Sequence, residues 1–172
     1  MADTVAYDAS NGSAYASRNP LGVSVMYKVM DAAAIITAAG GTGLASATKI
    51  TAAEAVTAMV LPVGFQVWGT AVYVVKAGTS AGTIDIGTPD TGSNSYEVRF
   101  DAAVSLATAG AYAASATDAS AIASGGLLIS ATTSDADNVI VQYNSDDTDS
   151  VFVLCVFGMD FSWMAEVAQD LA

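Results

Sequence analysis

Residues 65–76, FQVWGTAVYVVK, constrain the fold more than any other stretch of the chain. Phe65, Val67, Gly69, Ala71, Tyr73 and Val75 alternate with Gln66, Trp68, Thr70, Val72, Val74 and Lys76. A period of two, rich in β-branched and aromatic residues, is the pattern of a strand. Both sides carry large apolar side chains. The strand is therefore expected to face a core on one side and a lid, a neighbouring loop or a partner subunit on the other. On this phasing Trp68 and Val72 share one face, and Tyr73 lies on the opposite one. Pro62 and Gly64 precede the strand, AGTSAG at 77–82 is a turn, and Thr83–Gly87 returns with Ile84 and Ile86 on one face. The pair reads as a long hairpin.

The same pattern recurs along the chain. Val23, Val25, Tyr27 and Val29 alternate, and Ala34–Thr37 reads as a short second strand. Residues 49–61 are ambiguous. Ile50, Ala53, Val56 and either Val60 or Leu61 fit a helical stripe, whereas Val56, Ala58 and Val60 fit a strand; the surroundings favour a strand over 55–60. Further strands are expected at 96–101, 127–131, 138–143 and 151–157, with a short one near Tyr112 and a helical turn over 117–123. The segment SVFVLCVFGM is apolar on both faces and so belongs at the centre of its sheet. About eight strands, with no helix long enough for a βαβ crossover, predict an all-β, antiparallel two-sheet sandwich, jelly-roll-like. The organisation expected is an extended N-terminal arm over 1–20, a sandwich over 21–162 and a tail or short helix over 163–172. The arm, with Tyr7, Tyr15 and Arg18, is polar and turn-rich, and reads either as a frayed terminus or as a segment ordered against a partner.

Charge narrows the function. Seventeen acids against five bases give a net charge of -12, and Arg18, Lys28, Lys49, Lys76 and Arg99 never cluster. Tracking phosphates needs a basic surface, so no direct nucleic-acid binding is expected, and an anionic membrane would repel the chain. No apolar run approaches the roughly 18 residues of a membrane helix. The start of the chain, MADTVAYDAS, has neither the basic nor the greasy segment of a signal peptide. Only 13% of residues are charged, while Gly, Ala, Ser and Thr abound, which suits both close subunit contact and long loops.

There is no histidine and a single cysteine, Cys155. That excludes Ser-His-Asp and Cys-His arrangements and a thiolate zinc site. Cys155, between Leu154 and Val156, reads as a buried small hydrophobe. GGTG at 40–43 lacks the GKS or GKT of a phosphate loop and is a turn. Glu54, Glu97 and Glu166 are far apart, and nothing marks them as a catalytic pair. The chain is therefore not expected to be an enzyme. Asp135 with Asp137, and Asp146 with Asp147 and Asp149, present hard oxygen ligands suited to calcium, but neither turn has the spacing of an EF-hand. Aspartates that cap their own turns are the commoner explanation. No obligatory cofactor is expected; weak calcium binding at 144–149 is the remaining cofactor reading. Trp68 and Trp163 are candidates for stacking on a sugar, or for contact with a sheet or subunit.

The stretch LPVGFQVWGTAVYVVKAGTSAGTIDIG, with the later GLLISATTSDADNVIVQYNSDDTDSVFVLCVFGMDFS, resembles small β-sandwich virion proteins of tailed bacteriophages. Shared features are a long strand after a P-x-G turn, a glycine-bearing hairpin into an IDIG-like strand, and an acidic turn before a hydrophobic strand. The resemblance covers about residues 60–162. It implies a structural virion component, with several such proteins acting as decoration or cement proteins on the outer capsid surface, commonly as trimers. In this chain it implies an arm over 1–20 that grips the major capsid protein or a neighbour, and a subunit contact around Trp68 and Val72. A tail or neck component, or a carbohydrate-binding module on the virion surface, is the alternative.

Overall fold

The computed structural model describes residues 5–6, 14–15, 24–39, 43–61, 65–80, 82–89, 96–116, 127–128 and 138–160. Its strands are β1 (Val5–Ala6), β2 (Ala14–Tyr15), β3 (Ser24–Asp31), β4 (Ala55–Val60), β5 (Phe65–Lys76) and β6 (Thr83–Pro89). They continue with β7 (Tyr96–Ser105), β8 (Tyr112–Ala116), β9 (Leu127–Leu128), β10 (Asn138–Tyr143) and β11 (Val151–Asp160). Two sheets form a sandwich. The five-stranded sheet runs β1-β4-β10-β6-β7; the six-stranded sheet runs β2-β3-β11-β5-β8, with β9 added to β5. β3 pairs β11, β4 pairs β10, β5 pairs β8 and β6 pairs β7, all antiparallel. That is the nesting of one long hairpin folded over on itself. The expected central position of 151–157 holds, since β11 lies between β3 and β5.

Alternation sets the core. Met26 and Met30 on β3, and Phe152, Leu154 and Val156 on β11, point inward and meet Val56, Ile84, Ile86, Phe100, Val139 and Val141 from the other sheet. Each of the fully buried Phe65, Phe100 and Phe152 contributes about 1.5–3 kcal/mol of transfer free energy. Lys28 is also fully buried on the inward face of β3.

Three expectations need correction. Residues 65–76 and 83–87 do not pair as a hairpin: β5 lies in the six-stranded sheet and β6 in the five-stranded one, so the chain crosses from one sheet to the other between them. Ala34–Thr37 is not a strand; it lies in a helix, α1 (Ala32–Ala39). Alanine is the best helix former, and it outweighs the β-branched Ile35, Ile36 and Thr37. Asp31 caps the helix by accepting a hydrogen bond from the Ala34 N–H at 3.2 Å. Ile35 and Ile36 anchor it to the core.

The phase of β5 also changes midway. Phe157 pairs with Gly69 while Gly158 pairs with Val67, so Trp68 is an extra residue opposite β11. This β-bulge shifts the inward set from Phe65 and Val67 to Val72 and Val74. Gly158 sits at the tight point, where an added Cβ would overlap the Gln66 carbonyl and lie 2.9 Å from Cζ of Phe65.

Val5–Ala6 pairs with Val56–Thr57 of β4, and Ala14–Tyr15 pairs with Tyr27–Met26 of β3. The N-terminal segment thus contributes a short strand to one edge of each sheet. The remainder of 1–20, the expected helical turn at 117–123 and the expected helix at 163–172 lie outside the described residues.

Candidate functional site

Two features stand apart from the core: an acidic turn at one end of the sandwich and an apolar outer face on the six-stranded sheet.

The turn between β10 and β11 holds three aspartates with three separate sets of donors. Asp146 takes the Lys49 ammonium at 2.5 Å and the Ala52 N–H at 3.1 Å. Asp149 takes the Thr79 N–H at 2.9 Å, its hydroxyl at 2.6 Å and Lys76 at 2.9 Å. Asp147 is buried and folds back on its own turn, accepting the N–H groups of Asp149 and Ser150 at 3.2 Å each and the Ser150 hydroxyl. The carboxylates therefore diverge, and among the described residues no group of three acidic, cysteine or histidine side chains is placed to hold a metal. Hydrogen bonds from Lys49 and Ala52 hold the Asp146 carboxyl below the usual carboxylate range. Those from Thr79 and Lys76 do the same to Asp149. The turn behaves as a clamp joining Lys49, Ala52, Lys76 and Thr79.

Nearby, Glu54 is buried and accepts the N–H groups of Ala45 and Thr51, so it closes a loop. The Tyr143 hydroxyl is buried with no hydrogen-bond partner among the described residues. Burial pushes its pKa up, with the nearby charges of Asp147 and Asp31 acting in the same direction.

The outer face of the six-stranded sheet is built by register. Val29, Val153, Tyr73 and Tyr112 stand opposite one another across β3, β11, β5 and β8. Val29 is 43% exposed, Tyr73 46%, Val75 51% and Tyr112 66%, values expected of polar residues on a solvated strand face. The next outward row holds Tyr27, Cys155 and Ala71, and the one after it Val25, Phe157 and Gly69. Cys155 is half-buried on this face rather than in the core, and partial burial pushes its thiol pKa up. Among the described residues of these strands, charge on this face is confined to the end row, where Asp31 and Lys76 flank Val151. The outward side of the five-stranded sheet differs: it carries Asp85 beside Gln142, with Asn144 donating to Asp85 at 2.9 Å.

Of the residues singled out from sequence, Trp68 reaches this face, 36% exposed at the bulge. Val72 does not; it is 1% exposed and belongs to the core, because the bulge turns it inward. The same phase change brings Trp68 and Tyr73 to one side of the sheet, where uninterrupted alternation set them on opposite sides. Tyr15 lies in β2, opposite Met26. Tyr7, Arg18 and Trp163 lie outside the described residues. Sequence reading missed Val29, Tyr112 and Val153 as a group, since only strand register joins them.

No protein-family model matches the chain. No curated protein matches it either. Among the described residues no helix is long and apolar enough to cross a membrane. The architecture defines a two-sheet β-sandwich, and a solved structure shares it. The chain is similar to one in the capsid of Ralstonia phage GP4, with 14% identity, a TM-score of 0.53, and coverage of 88% of this chain and 92% of that one. It is also similar to one in the cyanophage Pam1 capsid asymmetric unit, at 25% identity and a TM-score of 0.48, covering 89% of this chain and 97% of that one.

Proposed function

We propose that the chain is a structural protein of a tailed-phage virion, without enzymatic activity. In this reading it is a decoration or cement protein that binds the major capsid protein on the outer surface of the head and stabilises the shell, in groups of three. The observation that carries the proposal is the combination, in one sandwich, of an uncharged apolar outer face with acidic groups committed to holding turns together. Surface of the first kind serves contact, and carboxylates engaged in the second way are poorly placed for chemistry. The nested strand pairing supports a jelly-roll reading, an arrangement used by viral capsid and lectin domains. The fold is also shared, over nearly its whole length, with a chain of a phage capsid. A net charge of -12 suits the outside of a head better than the side facing the genome.

The exposed aromatics Trp68, Tyr73 and Tyr112 support a second reading, a glycan-binding surface on the virion. Sugar recognition pairs an aromatic platform with hydrogen-bonding side chains. Tyr73 instead has Val153 and Tyr112 as its cross-strand neighbours and Val29 beyond, which favours protein contact.

The test is reconstitution. Full-length protein mixed with undecorated heads of the parent virus should occupy symmetry-related sites at full stoichiometry in cryo-electron microscopy. A version lacking residues 1–20 should bind more weakly if that segment contacts the shell. Absence of binding to those heads refutes the decoration role and moves the chain to the tail or neck.

A further inference from the structure

We infer that the outer face of the six-stranded sheet, centred on the Val29–Val153–Tyr73–Tyr112 row, is the surface through which copies of this chain join one another. The inference rests on the assembly proposed above and names the contact that makes it.

The occupant follows from charge. A chain of net charge -12 is repelled by its own copies wherever acids approach within a Debye length of about 8–10 Å. Two copies meet closely at least electrostatic cost through surface that lacks unpaired acids. The rows of Val29, Tyr27 and Val25, running across β11 and β5, are such a surface, and among the described residues of these strands the flanking charges are Asp31 and Lys76 in the end row. Those two differ in sign. Lys76 is engaged by Asp149, and Asp31 caps α1, so neither stands as an isolated charge.

A partner attracted electrostatically to this acidic chain would be basic, and acids would line its docking surface. Among the described residues, acids other than Asp31 are engaged elsewhere, in the turn at 144–149 and on the outward side of the five-stranded sheet at Asp85. Depletion of charge with enrichment in aromatic residues is also the composition of the core of an interface between identical subunits. Tyr73 and Tyr112 add large contact area at low side-chain entropy, and Val29, Val75 and Val153 fill the space between large rings.

Cys155, the single cysteine, reports on the contact, because it is half-buried in the row next to Val153 and closing the face over it blocks reagents. The experiment compares full-length wild type with Tyr112→Glu and Val29→Glu, whose exposed side chains can change without disturbing the core. Val60→Glu, 50% exposed on the other sheet, is the control. Sedimentation velocity across a hundred-fold concentration range, maleimide labelling of Cys155 and circular dichroism are measured on each. Wild type and Val60→Glu should form one defined oligomer at tens of micromolar with Cys155 protected. Both face variants should weaken association at least ten-fold and label at the rate of dilute wild type, with unchanged circular dichroism. A wild-type monomer, or face variants that stay fully assembled, overturns the inference, as does capture of a glycan on the face in an array. Binding of a wild-type monomer to undecorated heads would refute this contact and leave the virion reading standing. Face-mediated oligomers that ignore the heads would do the reverse.

Discussion

Replacing Gly158 with alanine tests the close approach of β11 to the bulge in β5. Gly158 pairs with Val67, and a Cβ there would overlap the Gln66 carbonyl oxygen and the edge of the Phe65 ring, whose Cζ lies at 2.9 Å. Real Cβ atoms do not sit so near other heavy atoms, so something must move. Phe65 is fully buried, and the Gln66 carbonyl is backbone in a paired strand; neither yields as a flexible side chain does. Overpacking of this kind costs about 1–3 kcal/mol, and a backbone obstacle puts Gly158→Ala at about 3 kcal/mol. For a chain of this size that is a fall in Tm of about 6–12 °C. Gly110 supplies the contrast: its φ is +80° and nothing lies within 4 Å of an added Cβ. Gly110→Ala therefore pays only for left-handed backbone, about 1 kcal/mol. Guanidinium unfolding at one fixed protein concentration measures both, so that any association of copies contributes equally to each. Adding Phe65→Leu to Gly158→Ala should restore less than half of the loss, because the carbonyl remains. A Gly158→Ala protein within about 0.5 kcal/mol of wild type would refute the bulge geometry, since no overpacking cost would then be present.

Tyr143→Phe and Thr70→Val each remove a buried hydroxyl without a partner among the described residues, so each should leave stability unchanged or raise it by up to about 1 kcal/mol in thermal melts. A loss above that would reveal a bridging water. Asp146 and Asp149 titrate below the usual carboxylate range, so their stabilisation is complete above about pH 4 and is lost as pH falls through their depressed values. Asp146→Asn and Asp149→Asn should accordingly flatten the acid side of a Tm–pH profile. Millimolar calcium should leave Tm unmoved, since the three carboxylates of the turn point to different donors. A rise of several degrees, reversed by chelator, would identify a site at 144–149.

The strands were legible where alternation is unbroken, as in Val25–Tyr27–Val29 and Val139–Val141–Tyr143. Helix α1 was not, because Ile35-Ile36-Thr37 carries the β-branched signal, and the cap that decides the matter is one carboxylate, Asp31. An aspartate directly ahead of an alanine run was the available clue. The acidic turn was visible as composition only. Asp146, Asp147 and Asp149 are equivalent in sequence, and it takes the fold to bury Asp147 while Lys49 and Lys76 secure the other two. The outer face draws on four strands scattered from Val29 to Val153, so no local pattern could assemble it.

Strand β5 explains why its two apolar sides misled and why they matter. Without an extra residue, the inward positions of Phe65 and Val67 would carry Tyr73 and Val75 into the core and expel Val72 and Val74. The bulge at Trp68 removes that conflict, and Gly158 on β11 makes room for it. Val72 and Val74 then fill the core, and Trp68, Tyr73 and Val75 are all delivered to the outside. Folding alone requires only the first of these results. A sandwich strand whose outer side meets water carries polar residues there, as β6 and β10 do with Asp85 and Gln142. β5 instead places two aromatics and a valine outward, and β3 and β11 align Val29, Val153 and Phe157 with them. Among the described residues nothing buries that row, and Val29, Tyr73 and Tyr112 stay exposed. The proposed contact between copies would cover it, and that is why the outer face, rather than the acidic turn, is where the function of this sandwich is expected to lie.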